Sequence, residues 1–277
     1  MIVAFLYDFD KTLTTKDMQE YGFIEDLGFE NPADFWKIVD ETANTQKMDH
    51  IMAYLYEMVH QAKIRGIELT HEKLASYGPR VAFYPGVQEW FTRVNVIGKK
   101  LGIEVQHYIV SSGLTEIIEA SSIASEIKKI YACHFLYEDK IAVWPKLAIN
   151  YTNKMQYIFR VNKGILEVEN DVDLNSFTPD DQRPIPLSNM VYFGDGLTDV
   201  PTMKLVKSNG GHSIAVYVEA KRRDAEILAE HGRVDFIAPA DYTSEGKLME
   251  IAHRILEHLH YQNNLREVTW KGRQHHD

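Results

Sequence analysis

Short apolar, β-branched runs alternate with stretches of helical period along this chain. The apolar runs are 2–7 (IVAFLY), 104–110 (EVQHYIV), 130–137 (IYACHFLY), 190–194 (MVYFG), 213–218 (SIAVYV) and 234–238 (VDFIA), each of strand length. Residues 114–124, 152–163, 199–208, 220–230 and 244–260 carry apolar positions at helical spacing. Such alternation predicts an α/β protein, a three-layer α/β/α arrangement around a mostly parallel sheet. Residues 17–80 interrupt it. They are helical in pattern and contain no good strand, and Tyr84-Pro85-Gly86-Val87 then punctuates the return. The simplest organisation is a core of 1–15 and 82–277 carrying a small helical cap domain, 16–81. Trp36, Met48, Met52, Tyr54, Tyr56 and Met58 are expected inside that cap. Hinges are expected at Thr14–Lys16 and Ala82–Gly86. Residues 136–144 read as a hairpin-like extension of the third strand. The polar segment 162–189, with three prolines, is a long excursion, and such loops are usually functional or mobile.

Composition narrows the class. Hydrophobic residues are 45% of the 277 and charged residues 25%, as in ordinary globular proteins. A formal net charge of -10 opposes a broad nucleic-acid or anionic-membrane surface, and there is no basic aromatic stripe. It leaves room for a small anionic substrate in a locally positive pocket. No apolar run is long enough to span a bilayer. The N-terminal run lacks a basic leader and is broken at Asp8, so it does not read as a signal peptide. Cys133 is the sole cysteine and forms no internal disulfide, which fits a reducing compartment. A cytoplasmic protein is expected, its oligomeric state left open.

Ligands in open α/β sheets bind beyond the carboxyl ends of the strands. The first strand runs into Asp8-Phe9-Asp10-Lys11-Thr12, the second into Ser111-Ser112-Gly113, and the strand at 190–194 into Asp195-Gly196-Leu197-Thr198-Asp199. Lys154 opens a helix. Taken singly, each has an ordinary explanation: turn or cap residues for the aspartates and serines, a solvated surface position for the lysine. A lysine in the first turn of a helix, however, opposes the helix dipole, so helix stability does not select it. Taken together, four carboxylates at strand ends need a cation, since two unit charges at 4 Å repel by about 4 kcal/mol at an effective dielectric near 20. Oxygen-only donors suit Mg²⁺, and no His/Cys spacing competes. A serine at a helix N-terminus is a phosphate cradle, with lysine adding positive charge. The set points to phosphoryl transfer, in which positioning and charge neutralisation dominate.

DFDKTLT (8–14), VSSG (110–113), Lys154 and GDGLTD (194–199) resemble, in order, the four motifs of the haloacid dehalogenase-like superfamily of phosphohydrolases. The helical insertion after the first motif is similar to the cap of the subclass that includes phosphoserine phosphatases. The resemblance implies a nucleophile at Asp8, forming an aspartyl-phosphate, and a general acid then base at Asp10. It implies Mg²⁺ held by Asp8, by the Asp10 backbone carbonyl, by Asp195, and by Asp199 directly or at one remove. Thr12 would orient the first loop. Ser111, with Ser112 and Gly113, would bind the phosphoryl oxygens, and Lys154 would stabilise the nucleophile. Lys146 and Lys163 flank Lys154, which is preferred because it begins its helix. An acid two residues after the nucleophile favours phosphomonoester hydrolysis on a small phosphorylated metabolite, with phosphomutase chemistry a lesser option.

The match thins at the specificity positions. Asp17 stands where phosphoserine phosphatases carry a glutamate that meets the substrate ammonium, yet it also suits a helix cap. Arg65 is a candidate partner for a substrate carboxylate. Thr198 replaces the usual Asn, and 162–189 is longer than the corresponding stretch. Phosphoserine is therefore one option among small phosphomonoesters. The alternatives are a 5′-nucleotidase or phosphotransferase on the same motifs, and a non-catalytic binding module of the same fold. The tail LREVTWKGRQHHD reads as solvated, and His275 and His276 carry no assigned role.

Overall fold

The computed structural model describes the backbone of residues 1–273 and the side chains through 265, so His275 and His276 lie outside the described residues. Among the described residues there are seven strands: β1 (Ile2–Tyr7), β2 (Glu104–Leu114), β3 (Lys129–Glu138), β4 (Ile141–Leu147), β5 (Met190–Gly194), β6 (His212–Tyr217) and β7 (Phe236–Pro239). Their order in the sheet is β4-β3-β2-β1-β5-β6-β7. The pairs β2/β3, β5/β6 and β6/β7 are parallel, and β3/β4 is antiparallel. The expected hairpin-like extension is thus a seventh strand, β4. The helix expected at 114–124 shrinks to Thr115–Glu119: β2 continues to Leu114, and a separate 3₁₀ turn takes up Ala124–Glu126. The final helix runs through Lys247–Arg273, well beyond the expected 260.

The chain divides into two compact units. One comprises 1–6, 84–107 and 155 onward. Its centre is the fully buried run Val3–Leu6 of β1 together with β5 and β6, which is why these strands read as continuous apolar runs rather than alternating ones. The helix Val87–Lys100 presents Val87, Trp90, Phe91 and Val94 inward, at the 3–4 residue spacing of an apolar face. Trp90 meets Phe193 and Tyr242 edge-on, with centroids 6.0 and 5.1 Å away.

In the same unit the long excursion is tied down. Arg160, 2% exposed, donates to the carbonyls of Glu167 (2.7 Å) and Val168 (2.9 Å) and pairs with Asp171 at 2.6 Å. Lys163 Nζ donates to the carbonyls of Leu174 (2.6 Å) and Ser176 (2.7 Å), and Asn162 Nδ2 to that of Ile185 (2.8 Å). Polar residues of one helix, Lys154–Lys163, supply donors to backbone acceptors that no strand or helix satisfies.

The other unit comprises 7–83 and 108–154. Its helices Pro32–Gln46, His50–Ile64 and His71–Ala75 begin at Asn31, Asp49 and Thr70, whose side chains accept from backbone N–H groups of the first turn. Phe35, Val39, Tyr54, Leu55, Met58, Leu69 and Leu74 are buried. Of the residues expected inside, Tyr54 and Met58 are there. Trp36, Met48 and Met52 are half-buried, and Tyr56 is exposed and stacked on His60, because it falls on the outer face of its helix. The segment before the helices and the segment after them are joined at their base. Thr15 N donates to Ala82 O at 3.0 Å. The Tyr21 hydroxyl accepts from Lys16 N (2.9 Å) and donates to Ala82 O (3.0 Å).

His107 on β2 sits between Phe5 and Phe91. Burial pushes its pKa down to about 3 from the ordinary 6.5. The unfolded chain takes up this proton near pH 6.5 while the folded chain resists until about 3, so stability is lost as pH falls through that window. The slope contributed is at most about 1.4 kcal/mol per pH unit. Urea unfolding at about pH 7.5 and about pH 4.5 is expected to show a smaller acid penalty in His107→Gln than in the parent chain. An unchanged penalty would show that another group carries the acid sensitivity.

Candidate active site

The apolar run of β1 ends at Asp8, 6% exposed. The next residues fold into a tight loop around one acceptor, the Phe9 carbonyl, which receives the N–H groups of Thr12 (3.3 Å), Leu13 (2.9 Å) and Thr14 (3.2 Å). Lys11 takes a left-handed conformation, φ 59°. The Thr14 hydroxyl accepts from Lys11 N at 3.3 Å and lies 2.8 Å from the Lys16 carbonyl. Thr12 is fully buried within this loop.

Lys154 is 1% exposed and its Nζ lies 2.9 Å from Asp8 Oδ1. Lys163 instead anchors the excursion, and Lys146 lies on β4. Asp10 Oδ1 accepts the Met18 N–H at 2.8 Å. Its pKa is pushed well above the usual carboxylate range, first by burial and then by the carboxylates of Asp17 and Asp8. The Met18 N–H and the Lys11 ammonium offset this only in part. Two carboxylates two residues apart are thus set differently: one faces an ammonium, while the other favours its protonated form.

Ser111-Ser112-Gly113 sit in an irregularity of β2 and not at the start of a regular helix. The register passes from Val110 opposite Tyr131 to Leu114 opposite Cys133, so the segment bulges out of the ladder. The helix that follows has five residues, so the expected helix N-terminal cradle is replaced by the bulge. Ser111, 1% exposed, accepts the Gly113 N–H on Oγ at 2.9 Å. Leu114 N points at Met18 Sδ, 2.9 Å away. A Cβ on Gly113 would lie 2.0 Å from Met18 Cε and 3.0 Å from Asp10 Oδ2, so a side chain there would push the end of Met18 aside. Sequence reasoning did not single out Met18, since a buried methionine carries no chemical marker.

The two specificity candidates are already engaged. Asp17 pairs with Lys11 Nζ at 2.5 Å. Arg65 donates to Gln61 Oε1, and its guanidinium lies over the Phe29 ring, 4.6 Å from the centroid. Asp8, Asp10, Asp17, Arg65, Ser111, Ser112, Gly113 and Lys154 all belong to the second unit.

Asp195 and Asp199 belong to the first unit and follow β5, the neighbour of β1 in strand order. Asp195 is half-buried. Asp199 is fully buried and accepts from the Tyr192 hydroxyl at 2.8 Å on Oδ1. A Cβ on Gly194 would come within 2.5 Å of Asp199 Oδ2. The missing side chain leaves the space into which this carboxylate folds. Asp195 and Asp199 offer only oxygen donors, which suit a hard divalent ion. Gly194→Ala is expected to destabilise the protein by about 1–3 kcal/mol through this overlap. Gly196→Ala, where a Cβ meets nothing within 4 Å, is expected to change stability little. Equal urea midpoints for the two variants would refute the close approach at Gly194.

The family model described as haloacid dehalogenase-like hydrolase matches residues 5–204. An uncharacterized protein of Borreliella burgdorferi is 28% identical over 89% of this chain and 94% of its own length. The crystal structure of a probable phosphoserine phosphatase from Vibrio cholerae superposes with a TM-score of 0.61 at 13% identity, over 95% of this chain and 67% of that one. A HAD family hydrolase from Salmonella enterica gives a TM-score of 0.53 at 18% identity, over 77% of this chain; the chain spans 62% of that hydrolase. These structural likenesses are likenesses of fold.

Proposed function

Because the chain belongs to the haloacid dehalogenase-like hydrolases, we propose that it is a Mg²⁺-dependent phosphomonoester hydrolase working on a small phosphorylated metabolite through an aspartyl-phosphate on Asp8. The observation that carries the reading is the pair of differently set carboxylates, Asp8 beside the Lys154 ammonium and Asp10 with a raised pKa.

The steps follow from these side chains. An Asp8 carboxylate oxygen attacks phosphorus while Asp10 gives its proton to the departing alkoxide oxygen, so an alcohol leaves and the phosphoryl group is carried on Asp8. Asp10, now ionised, takes a proton from a water whose oxygen attacks the same phosphorus. The P–O bond to Asp8 breaks, and phosphate leaves with both carboxyl groups restored. Lys154 neutralises Asp8 before attack and the phosphoryl charge after it. Ser111 donates its hydroxyl hydrogen to a phosphoryl oxygen. By the family resemblance, Asp8, the Asp10 backbone carbonyl, Asp195 and Asp199 would hold Mg²⁺. When bound, the ion neutralises carboxylate and phosphate charge together.

Residues 16–81 act as the cap over this chemistry. The engagement of Asp17 by Lys11 and of Arg65 by Gln61 and Phe29 supports a substrate other than phosphoserine, whose ammonium and carboxylate would need both groups released. Among the described residues no helix is long and apolar enough to cross a membrane. We place the protein in the cytoplasm, in keeping with its single, buried thiol.

Hydrolysis of an aryl phosphate with Mg²⁺ tests the assignment. Asp8→Asn is expected to abolish turnover, Asp10→Asn to lower it by about 10²–10⁴-fold, and chelation by EDTA to stop the parent enzyme until Mg²⁺ is restored. Equal rates for the parent and Asp8→Asn would sink the nucleophile.

A further inference from the structure

The bulged loop of β2 is held from behind by a residue of the helical insertion. Tyr54, on the helix His50–Ile64, donates its hydroxyl to the Ser112 carbonyl at 2.6 Å. The Cys133 thiol lies on the same carbonyl at 3.3 Å and accepts the Ile149 N–H at 3.2 Å. Both side chains are buried. Burial raises the phenol of Tyr54 well above its ordinary range and the Cys133 thiol to about 11, so both stay protonated and remain donors.

The Ser112 carbonyl and the Gly113 N–H are two ends of one peptide group. Tyr54 grips the oxygen end. The nitrogen end donates to Ser111 Oγ at 2.9 Å. An unbroken line therefore runs from the Tyr54 hydroxyl, through the Ser112–Gly113 peptide, to the Ser111 hydroxyl, whose own hydrogen remains available for a phosphoryl oxygen. A hydrogen bond to a carbonyl polarises its peptide and strengthens the N–H as a donor, and a hydroxyl that accepts a stronger bond donates more strongly in turn. The same line fixes the plane of the peptide in a bulge that has left the β3 ladder.

We propose that Tyr54 is a positioning residue for phosphoryl binding, acting on Ser111 through the Ser112–Gly113 peptide and making the phosphate loop complete only when the helix His50–Ile64 is seated. The proposal rests on the phosphoryl-transfer reading of the same site. Phenylalanine at position 54 would fill the same volume, so the hydroxyl is the part that matters.

Calorimetric titration of the full chain with inorganic phosphate, Mg²⁺ present, tests it in a double-mutant cycle. The parent protein is expected to bind phosphate and Ser111→Ala to bind it more weakly. Tyr54→Phe is expected to lose about three- to tenfold in affinity in the parent background and less than about twofold in the Ser111→Ala background. A tyrosine that merely supported the fold would lower affinity equally in both. Equal losses, or no loss in the parent background, overturn the proposal. Absence of phosphate binding by the parent protein overturns the phosphoryl-transfer reading and the proposal with it, which separates the two failures. If Tyr54→Phe does not fold, Cys133→Ala removes the weaker donor from the same carbonyl. A smaller loss with the same dependence on Ser111 supports the relay, and a loss independent of Ser111 overturns it.

Discussion

A lysine and an aspartate buried together, Lys154 and Asp8 at 2.9 Å, set the terms for the unit that carries the proposed nucleophile. Neither is stable in that place alone: removing one partner of a buried pair leaves an uncompensated charge at a cost of about 3–5 kcal/mol. Replacing both by apolar side chains would often be neutral, so stability does not explain the pair. In the proposed reaction its value is chemical. The ammonium faces Asp8 in a buried setting, while burial and the carboxylates of Asp17 and Asp8 raise the pKa of Asp10, two residues on. One loop, closed on the single carbonyl of Phe9, thereby presents a base-like and an acid-like carboxyl side by side.

The surroundings of that loop are built by close approach rather than by extra charge. Gly113 lets Met18 and Asp10 come against the Ser111–Gly113 loop, and the β2 bulge lifts that loop out of the ladder. In the first unit Gly194 plays the same part for Asp199. At each position the missing side chain leaves space that a neighbouring side chain fills, the end of Met18 at Gly113 and the Asp199 carboxylate at Gly194.

The excursion 162–189 illustrates the opposite economy. It is long and polar, yet Arg160, Lys163 and Asn162 bind its carbonyls from one helix. A loop whose backbone acceptors are met by a buried arginine, a buried asparagine and a half-buried lysine is structural over those contacts.

The strand ends and their aspartates were legible in the sequence because apolar runs of strand length terminate visibly in charge, and because spacing at motif positions is a local property. The helical nature of 16–81 was legible for the same reason. Three features were not. β4 was visible only as an extension of β3, since an edge strand with Pro145 and exposed Val143 and Trp144 lacks the alternation of a half-buried one. The engagement of Asp17 and Arg65 depends on Lys11 and on Gln61 and Phe29, whose orientations no periodicity records. The grip of Tyr54 on Ser112 joins residues 58 positions apart. Covalent order alone places the aspartates and serines at the ends of β1, β2 and β5. Packing between segments remote in the chain sets which carboxyl faces an ammonium, which has its pKa raised by burial and which hydroxyl holds the loop, because these depend on burial and distance.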